Sequence, residues 1–217
     1  MTKPDLPSTA NTADQGADGR LFAPFSPRIK GPILELLKAR LDDSGRFLEL
    51  ASGTGENLVH YAAHMPGWRF QPTDIDPERI ASISAWIEHS RVDNVAAPAE
   101  LNAASTGWGA TVEVDVIHIG NLFHLISEDK TRRMLNECAA ALAPGGRLII
   151  YGPFMRAGEL TSEGDQRFHD SLSSHDPDIG YKDDFDMLDW IGEAGLTPDE
   201  VIEMPANNLS LIAVKAF

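Results

Sequence analysis

The sequence has little cysteine, no long apolar run and too few basic residues to balance its acidic ones. A single cysteine, Cys138, excludes an internal disulfide, fits a reducing compartment and is predicted to be a small core residue. No apolar run reaches the length of a membrane span, and the first residues lack the basic and apolar regions of a signal peptide. We therefore expect a cytoplasmic protein.

The excess of negative charge excludes two classes of partner. Acidic residues outnumber basic ones by 33 to 18, and the formal net charge is -15. A field of this sign repels phosphate backbones and anionic lipid surfaces, so neither nucleic acid nor membrane is expected as a partner. A macromolecular partner, if there is one, would be protein rather than nucleic acid. The oligomeric state stays open.

The length of the chain, 217 residues, fits one domain with a sizeable core. Residues 1–19 are rich in Pro, Ser, Thr, Asp and Gly, which predicts a flexible N-terminal tail ahead of a single domain over residues 20–217. Residues 20–30 place Leu21, Phe22 and Phe25 among prolines, which is too aromatic for a spacer. Two interpretations of this segment stay open: a strap packed on the domain, or a lid over a cofactor pocket.

The strongest local pattern is the stretch RFLELASGTGEN, residues 46–57. An apolar strand carrying Glu49 breaks at a turn containing Gly53 and Gly55, and a helical pattern follows from Glu56. Such a turn lets a ligand approach bare backbone, and the helix start offers unpaired N–H groups and a partial positive charge. Asp74 ends the next strand, at about the 20-residue spacing of an acid that binds ribose hydroxyls. The pattern predicts a nucleoside-cofactor site.

The third position of the glycine pattern favours one kind of cofactor. A dinucleotide fingerprint requires G-x-G-x-x-G, and here Leu58 stands at the last of these positions. Glu49 would also set a carboxylate facing a pyrophosphate. Both features disfavour NAD or FAD as the ligand, and Leu58 thereby disfavours a nicotinamide-dependent reductase. A ligand with a cationic end, such as S-adenosylmethionine with its ammonium and sulfonium, suits the acid.

Strands and helices alternate along most of the chain, which predicts a parallel sheet covered on both faces. The final two strands are joined by only four residues, so they are expected to pair antiparallel as a hairpin. No element is predicted in the polar segment 156–183. The predicted helices are 32–41, 56–64, 78–90, 128–142 and 185–194, and the predicted strands are 46–50, 69–73, 95–101, 112–119, 147–151, 201–204 and 209–217.

This order of elements resembles the class I S-adenosylmethionine-dependent methyltransferases over about residues 20–217. The segments that carry the resemblance are ELASGTG (49–55), TDIDPE (73–78) and LAPGGRLIIYGPF (142–154). The resemblance implies an α/β fold with a doubly wound, mostly parallel, Rossmann-like sheet of seven strands and an antiparallel C-terminal strand. It also implies S-adenosylmethionine as the cofactor and Asp74 as the ribose ligand.

A narrower resemblance is to the methyltransferase-like 26 family, also filed as domain of unknown function 938. It rests on YGPF (151–154), TSEGDQRFHDSL (161–172), DPDIGYKD (176–183) and MPANN (204–208). The chain departs from that family's pattern at Pro27, Ile29, Asn102, His169 and Lys182, where the family usually has Glu, Asn, Asp, Asp and Arg. Asn102 can still hydrogen-bond an adenine edge. The other departures put the acceptor in doubt and not the cofactor.

The predicted cofactor contacts follow the family motifs and the carboxyl ends of the strands. They are Glu49, Ala51, Ser52, Gly53, Gly55, Asp74, Ile75, Asn102, Ala103, Gly120 and Asn121. The predicted substrate contacts are Phe22, Phe25, Arg28, Phe154, Asn207 and Asn208. Asn207 and Asn208 have an alternative interpretation as turn residues that tolerate left-handed backbone.

Three residues are candidates for catalysis. His124 is the first choice for a general base, since it follows the fourth strand of the alternating pattern and histidine titrates near neutrality. A histidine that is hydrogen-bonded to backbone at a helix start is its alternative. Tyr151 is expected to shape the pocket rather than ionise. His169 lies in the polar segment and is either catalytic or a solvated surface residue.

No metal site is expected, although His60 and His64 are spaced four apart on a predicted helix and could in principle share an ion. His118, inside an apolar strand, is predicted to be a hydrogen-bonded core residue. Together with these patterns, the resemblance implies methyl transfer from S-adenosylmethionine to an O, N or S atom of a small molecule. The alternative is a cofactor-binding protein without catalysis, acting as a sensor or a partner subunit.

Overall fold

The computed structural model describes residues 6–7 and 12–217. The predicted flexible tail, residues 1–19, therefore lies partly outside the described residues. The described chain forms two compact units. The glycine-turn unit comprises Thr12–Ala103 and Val114–His118, and the C-terminal unit contains Ala104–Glu113 and Ile119–Phe217.

The glycine-turn unit holds most of the regular alternation of strands and helices. Its elements are β1 (Asp14–Gln15), β2 (Leu21–Phe22), α1 (Ser26–Arg40), β3 (Gly45–Leu50), α2 (Glu56–His64), β4 (Trp68–Asp74), α3 (Pro77–Ser90) and β5 (Ala99–Glu100). The next strand, β6 (Val114–Gly120), begins in this unit. The unit's core contains the inward side chains of β3 and β4, including Phe47 and Phe70, whose ring centroids lie 4.8 Å apart.

The C-terminal unit contains longer strands and the last three helices. Its elements are a 3₁₀ turn at Gly109–Thr111, a second at Phe123–Leu125, α4 (Glu128–Ala141), β7 (Leu142–Pro153), α5 (Glu163–His175), α6 (Asp184–Glu193), β8 (Leu196–Met204) and β9 (Asn208–Lys215). Its core includes Leu148, Ile149 and Ile150 of β7, none of which is exposed. Cys138 is fully buried, as expected of a small core residue.

One sheet contains seven strands in the order β5-β4-β3-β6-β7-β9-β8. β3 pairs with β4, and β4 with β5, in parallel. β9 pairs antiparallel with both β7 and β8, so the predicted C-terminal hairpin is confirmed. The predicted fold class, a mostly parallel Rossmann-like sheet of seven strands with an antiparallel end, is confirmed with it. The strand order reverses between β3 and β6, which is where ligands bind in open α/β sheets.

Several helix starts follow the signals in the sequence. Asp76 caps α3 by accepting the N–H of Glu78 at 3.0 Å, and Pro77 fills the first turn, where its missing N–H matters least. Ser127 and Asp183 cap α4 and α6 in the same way. Capping side chains satisfy N–H groups that have no partner within their helix.

Several elements differ from the predictions by more than two residues. Strand β5 covers only Ala99–Glu100 of the predicted 95–101, and β8 begins at Leu196 instead of residue 201. Helix α1 starts at Ser26 instead of residue 32, because Pro27 occupies the first turn and Pro32 is accommodated inside the helix. Helix α5 occupies the segment predicted to lack elements. Strand β7 runs through Pro144, Gly145 and Gly146, which were expected to precede it.

Among the described residues, no helix has the length and apolar character needed to cross a membrane.

Candidate functional site

The glycine turn links β3 to α2 through three residues with positive φ. Ala51 has φ of 53°, Gly53 of 60° and Gly55 of 87°. The turn is anchored to β4, since the N–H of Ser52 donates to the carbonyl oxygen of Thr73 at 2.8 Å. The main chain after β3 is therefore held in a left-handed course that exposes backbone groups, as the sequence pattern predicts.

The two glycines of the turn have different surroundings. A Cβ at Gly55 would lie 2.8 Å from the Cα of Ile83, so this glycine lets α2 pack closely against α3. A Cβ at Gly53 would meet only the carbonyl oxygen of Ala51, at 4.0 Å. Gly55 is thus required for packing, whereas Gly53 borders open space in which a ligand can approach the backbone.

Asp74 is buried at the carboxyl end of β4 and orients the turn. Its Oδ2 accepts the N–H of Gly53 at 2.9 Å, and its Oδ1 accepts the N–H of Asp76 at 3.0 Å. Burial raises the pKa of the Asp74 carboxyl above its ordinary value, and these backbone N–H groups partly offset the rise. The carboxylate is therefore pre-positioned beside the turn at an energetic cost to the unliganded protein.

The predicted cofactor residues of the glycine-turn unit lie together beyond the ends of three adjacent parallel strands. The turn follows β3, Asp74 ends β4 and Ile75 follows it, and Asn102 and Ala103 lie just after β5. The N–H of Leu101 donates to the carbonyl oxygen of Asp74 at 2.9 Å, which extends the β4–β5 pairing to this point. The carboxyl ends of parallel strands are the ligand-binding edge of such sheets.

Glu49, the penultimate residue of β3, is only 4% exposed. Its Oε1 lies 3.1 Å from Nδ1 of His118, which is itself 2% exposed. The prediction that His118 is a hydrogen-bonded core residue is confirmed. Among the described residues, neither Oε2 of Glu49 nor Nε2 of His118 has a hydrogen-bond partner. A buried carboxylate oxygen without a partner is costly, so it marks a place where a donor is expected to bind.

Residues 20–30 pack on the helices of their own unit. The N–H of Leu21 donates to Ser82 Oγ at 2.8 Å, and Trp86 Nε1 donates to the carbonyl oxygen of Leu21 at 2.9 Å. The Phe22 ring meets the edge of the Trp86 ring at 5.1 Å between centroids. These contacts anchor the segment as a strap. Of the other predicted substrate contacts here, Phe25 is half-buried at the start of α1, and Arg28 is exposed on it.

The remaining predicted cofactor contacts, Gly120 and Asn121, belong to the C-terminal unit. Asn121 has φ of 55°, and its N–H donates to the carbonyl oxygen of Tyr151 at 2.7 Å. Gly152 passes close to it, since a Cβ there would lie 3.8 Å from the Cα of Asn121. The end of β6 is thus fixed to β7.

His124 is buried between the edges of Phe168, at 5.6 Å between ring centroids, and Tyr181, at 6.1 Å. Burial, with a smaller contribution from the positive charge of Lys182, lowers the pKa of His124 to about 3. The expectation that this residue titrates near neutrality is therefore wrong, because the charged imidazolium is not solvated in this position. His124 is a neutral ring at physiological pH and a weak base.

Lys182 stands beside the His124 segment. Its Nζ donates to the carbonyl oxygens of Ile126, at 2.8 Å, and Gly180, at 3.0 Å. Burial lowers the pKa of Lys182 to about 8, although the nearby Glu128 carboxylate opposes the decrease. The ammonium ties the 3₁₀ turn at Phe123–Leu125 to the segment that follows α5.

Asp165 is the centre of a buried polar cluster in the C-terminal unit. Its carboxylate accepts hydrogen bonds from Ser162 Oγ at 2.6 Å, from Tyr181 Oη at 3.0 Å and from the side-chain amide of Asn207. Burial, and then the Asp165 charge, raises the pKa of Tyr181, so its hydroxyl stays a donor. His169 joins the cluster through its Nδ1, which accepts the N–H of Tyr181 at 3.1 Å and therefore carries no proton.

Tyr151 and Phe154 are both buried on β7 and just after it. The side-chain amide of Asn208 donates to Tyr151 Oη at 2.8 Å. Asn207 has φ of 61°, as expected of an asparagine in a tight turn, and its side chain also donates to Thr161. Both asparagines thus hold the final hairpin turn in place, and their predicted role as substrate contacts stays a prediction.

The paired histidines of α2 do not form part of a larger donor set. His64 Nδ1 lies 2.8 Å from the carbonyl oxygen of His60, and the two ring centroids are 4.6 Å apart. Over residues 6–7 and 12–217, no group of three or more His, Cys, Asp or Glu side chains is arranged to hold a metal ion.

Sequence reasoning missed the cluster around Asp165 because it missed α5. The available signal was Ser162 followed three residues later by Asp165, a spacing close to that of a capping box. In the structure Ser162 Oγ accepts the N–H of Asp165 at 3.1 Å while donating to its carboxylate. Tyr181 had no comparable signal, since its partner lies 16 residues away in the sequence.

Solved structures of methyltransferases share this fold. An O-methyltransferase family protein from Burkholderia thailandensis matches 88% of this chain and 57% of its own, with a TM-score of 0.76 at 17% identity. An O-methyltransferase family 2 protein from Planctomyces limnophilus, solved with apigenin, matches 87% and 56%, with a TM-score of 0.75 at 20% identity. CalO1, a methyltransferase in calicheamicin biosynthesis solved with S-adenosylhomocysteine, matches 86% and 54%, with a TM-score of 0.71 at 16% identity.

The chain spans a little more than half of the length of each of these proteins. At such low identity the likeness concerns the fold. A family model described as "Protein of unknown function (DUF938)" matches residues 20–215, which include the glycine turn, Asp74 and the four segments of the narrower resemblance. This chain therefore belongs to the DUF938 protein family and has the Rossmann-like fold of the class I methyltransferases.

Proposed function

We propose that this protein binds S-adenosylmethionine and transfers its methyl group to an O, N or S atom of a small-molecule acceptor. One observation carries the proposal: an open glycine turn and two buried carboxylates lie at the carboxyl ends of adjacent parallel strands. This is the ligand-binding edge of the fold. The structure of PigF, a further neighbour of the same fold, was solved with S-adenosylhomocysteine, as was that of CalO1.

The residues present fit this cofactor better than a dinucleotide. Oε2 of Glu49 is buried and has no partner in the described part of the chain, so it suits a cationic donor. The same charge would repel a pyrophosphate. Leu58, which is fully buried, replaces the glycine that a dinucleotide fingerprint requires.

Each group of the glycine-turn unit has a distinct part in the proposed binding. Asp74 accepts hydrogen bonds from ribose hydroxyls, the backbone at Gly53 lets the ligand approach, and Glu49 attracts the ammonium. Ala51, Ser52, Gly55, Ile75, Asn102, Ala103, Gly120 and Asn121 stay predicted contacts. When bound, S-adenosylmethionine supplies a methyl group that is already activated by its sulfonium, so positioning the nucleophile provides much of the rate.

The acceptor is the less defined half of the proposal. His124, Tyr151 and His169 stay the catalytic candidates, and Phe22, Phe25, Arg28, Phe154, Asn207 and Asn208 the substrate candidates. Because His124 has a pKa of about 3, it removes a proton poorly. This favours an acceptor whose nucleophile needs no strong base, such as one that reaches the protein already deprotonated.

The burial of His124 supports a second candidate function. Because the main candidate for the general base is neutral and buried, the alternative is a protein that binds the cofactor without turnover and acts as a sensor or partner subunit. The predicted single-domain organisation over residues 20–217 is compatible with both functions.

A turnover assay separates the two. The purified protein is incubated with methyl-labelled S-adenosylmethionine and a protein-free metabolite extract, and the label in small molecules is measured together with S-adenosylhomocysteine. We expect labelled product with wild-type protein and much less with Asp74→Ala at the same cofactor concentration. Tight cofactor binding with no label transferred from any extract would contradict the enzyme and support the non-catalytic binder.

A further inference from the structure

The buried pair of Glu49 and His118 occupies a special place in the sheet. Glu49 lies on β3 and His118 on β6, the two strands between which the strand order reverses. Both residues are near the carboxyl ends of their strands. The pair therefore spans the topological switch point, on the side where open α/β sheets bind ligands.

The geometry gives the histidine a defined role toward the carboxylate. Nδ1 of His118 lies 3.1 Å from Oε1 of Glu49, and a carboxylate oxygen can only accept, so Nδ1–H donates. The imidazole is enclosed by Phe47 and Tyr61, each with its ring centroid 6.0 Å from that of His118. Since the ring is packed on these sides, it holds one rotamer and fixes the carboxylate that it binds.

The other carboxylate oxygen is left for a ligand. Within the described chain, Oε2 of Glu49 has no hydrogen-bond partner and is buried. The Nδ1–H of His118 engages only Oε1, so the carboxylate charge at Oε2 lies in a desolvated place without a donor from the described chain. Such a charge is stabilised by a cation that brings its own N–H donors.

We propose that His118 is a positioning residue for the amino-acid end of the cofactor: its Nδ1–H holds Glu49 so that Oε2 accepts from the ligand ammonium. This inference rests on the proposed function and deepens it. The inference assigns different residues to the two parts of the ligand. Asp74 and the glycine turn bind the nucleoside end, whereas His118 acts only on the ammonium. Loss of His118 should therefore weaken ligands selectively.

The test compares three ligands by calorimetry. S-adenosylmethionine and S-adenosylhomocysteine carry the ammonium, and 5′-methylthioadenosine lacks the whole amino-acid end. His118→Leu removes the donor, and His118→Asn returns an N–H close to the Nδ1 position on a smaller side chain. Asp115→Asn, three residues earlier on β6, is the matched control for a change on the same strand.

We expect His118→Leu to weaken the first two ligands about tenfold or more, the loss of a hydrogen bond to a charged group. The affinity of this variant for 5′-methylthioadenosine should equal that of the wild-type protein. Equal affinity would also show that the variant is folded. His118→Asn should restore most of the loss. In the Glu49→Gln background His118→Leu should have no further effect, because the histidine acts through the glutamate.

Two results would overturn the inference. One is an equal loss for all three ligands, which a general disturbance of the fold would produce. The other is unchanged affinity of His118→Leu for the ligands with an ammonium. A wild-type protein that binds none of the three would instead refute the proposed function itself, so the two failures are distinguishable.

Discussion

The two ends of the β3–β6 strand pair carry ionisable pairs of opposite character. Near the amino ends, Arg46 and Asp115 face each other, with side chains 46% and 38% exposed. Near the carboxyl ends, Glu49 and His118 are buried. In each pair the two residues are 69 apart in the sequence. The buried pair therefore lies three residues further along both strands, in the same register as the exposed pair.

Three hydrogen bonds join the exposed pair, whereas polar atoms of the buried pair lack partners among the described residues. Asp115 accepts from the N–H of Arg46 at 2.7 Å, from its Nε at 3.1 Å and from its Nη2 at 2.9 Å. The buried pair has one hydrogen bond and, within residues 6–7 and 12–217, two polar atoms without a partner. A buried polar atom without a hydrogen-bond partner is energetically costly. Proteins retain such atoms where a bound ligand supplies the partner. This contrast supports the proposal that the ligand binds at the carboxyl ends of the two strands.

The largest expected effect lies at this carboxyl end. Asp74→Ala removes the carboxylate that orients Gly53 and is proposed to hold the ribose. We expect the dissociation constant for S-adenosylhomocysteine to rise about a hundredfold, equivalent to about 2.7 kcal/mol, a typical value for hydrogen bonds to a charged group. Calorimetry measures it. Asp74→Asn is the control, since it keeps one oxygen for the Gly53 N–H but loses the charge.

Failure of this prediction would remove the functional difference between the two strand ends. Unchanged affinity in Asp74→Ala would mean that the buried carboxylates of this edge serve the fold alone, and the distinction between the two strand ends would lose its functional meaning.

A second contrast, between two buried histidines, sharpens the first. His118 has a carboxylate partner, whereas burial, with a smaller contribution from the Lys182 charge, lowers the pKa of His124 to about 3. Below the pKa of about 6.5 that histidine has in the unfolded state, His124 takes up a proton in the unfolded state but stays neutral in the folded state. The free energy of unfolding should therefore fall as the pH decreases from about 6.5 toward 3, by up to about 1.4 kcal/mol per pH unit.

His124→Phe isolates this contribution, because it keeps an aromatic ring against Phe168 and Tyr181 and cannot titrate. Urea denaturation between about pH 7 and about pH 5 should give a smaller pH dependence for the variant than for wild type. Equal slopes would show that the imidazole titrates alike in the folded and unfolded states, contrary to its burial.

The smallest effect is expected at the amino ends of the strands. Arg46 holds the pKa of Asp115 below its ordinary value, mainly by hydrogen bonding. Exposed pairs contribute little, so Asp115→Asn should lower the free energy of unfolding by about 0.2–1 kcal/mol, measured in urea at low salt. Cofactor affinity should not change. A tenfold loss of affinity in this variant would remove the contrast between the two ends.

The sequence predicts the glycine turn well because its ligand groups are main-chain and local. Gly53, Gly55 and the strand around Glu49 lie within a few residues, and the spacing to Asp74 follows from one helix and one strand. Glu49 was predicted as a site residue and His118 as a core residue, but their pairing across β3 and β6 could not be read from spacing alone.

The C-terminal unit was harder to predict because side chains from distant segments build its polar cluster. Asp165, Tyr181 and Asn207 meet across three segments, and only Asp165 had a local signal. Helix α5 buries only Asp165 and Leu172, so it lacks the apolar periodicity that identifies most helices.

At α1, either of two prolines could begin the helix. The hydrogen bond from Ser26 Oγ to Asn57 Oδ1, at 2.6 Å, anchors the earlier start.

The most direct test of the central claim is calorimetric titration of the full-length protein with S-adenosylmethionine, S-adenosylhomocysteine and NADH. The account predicts binding of the first two, with dissociation constants on the order of micromolar, and no binding of NADH. Binding of neither S-adenosyl compound, or binding of NADH in their place, would contradict the assignment of the carboxyl ends of β3, β4 and β5 as an S-adenosylmethionine site.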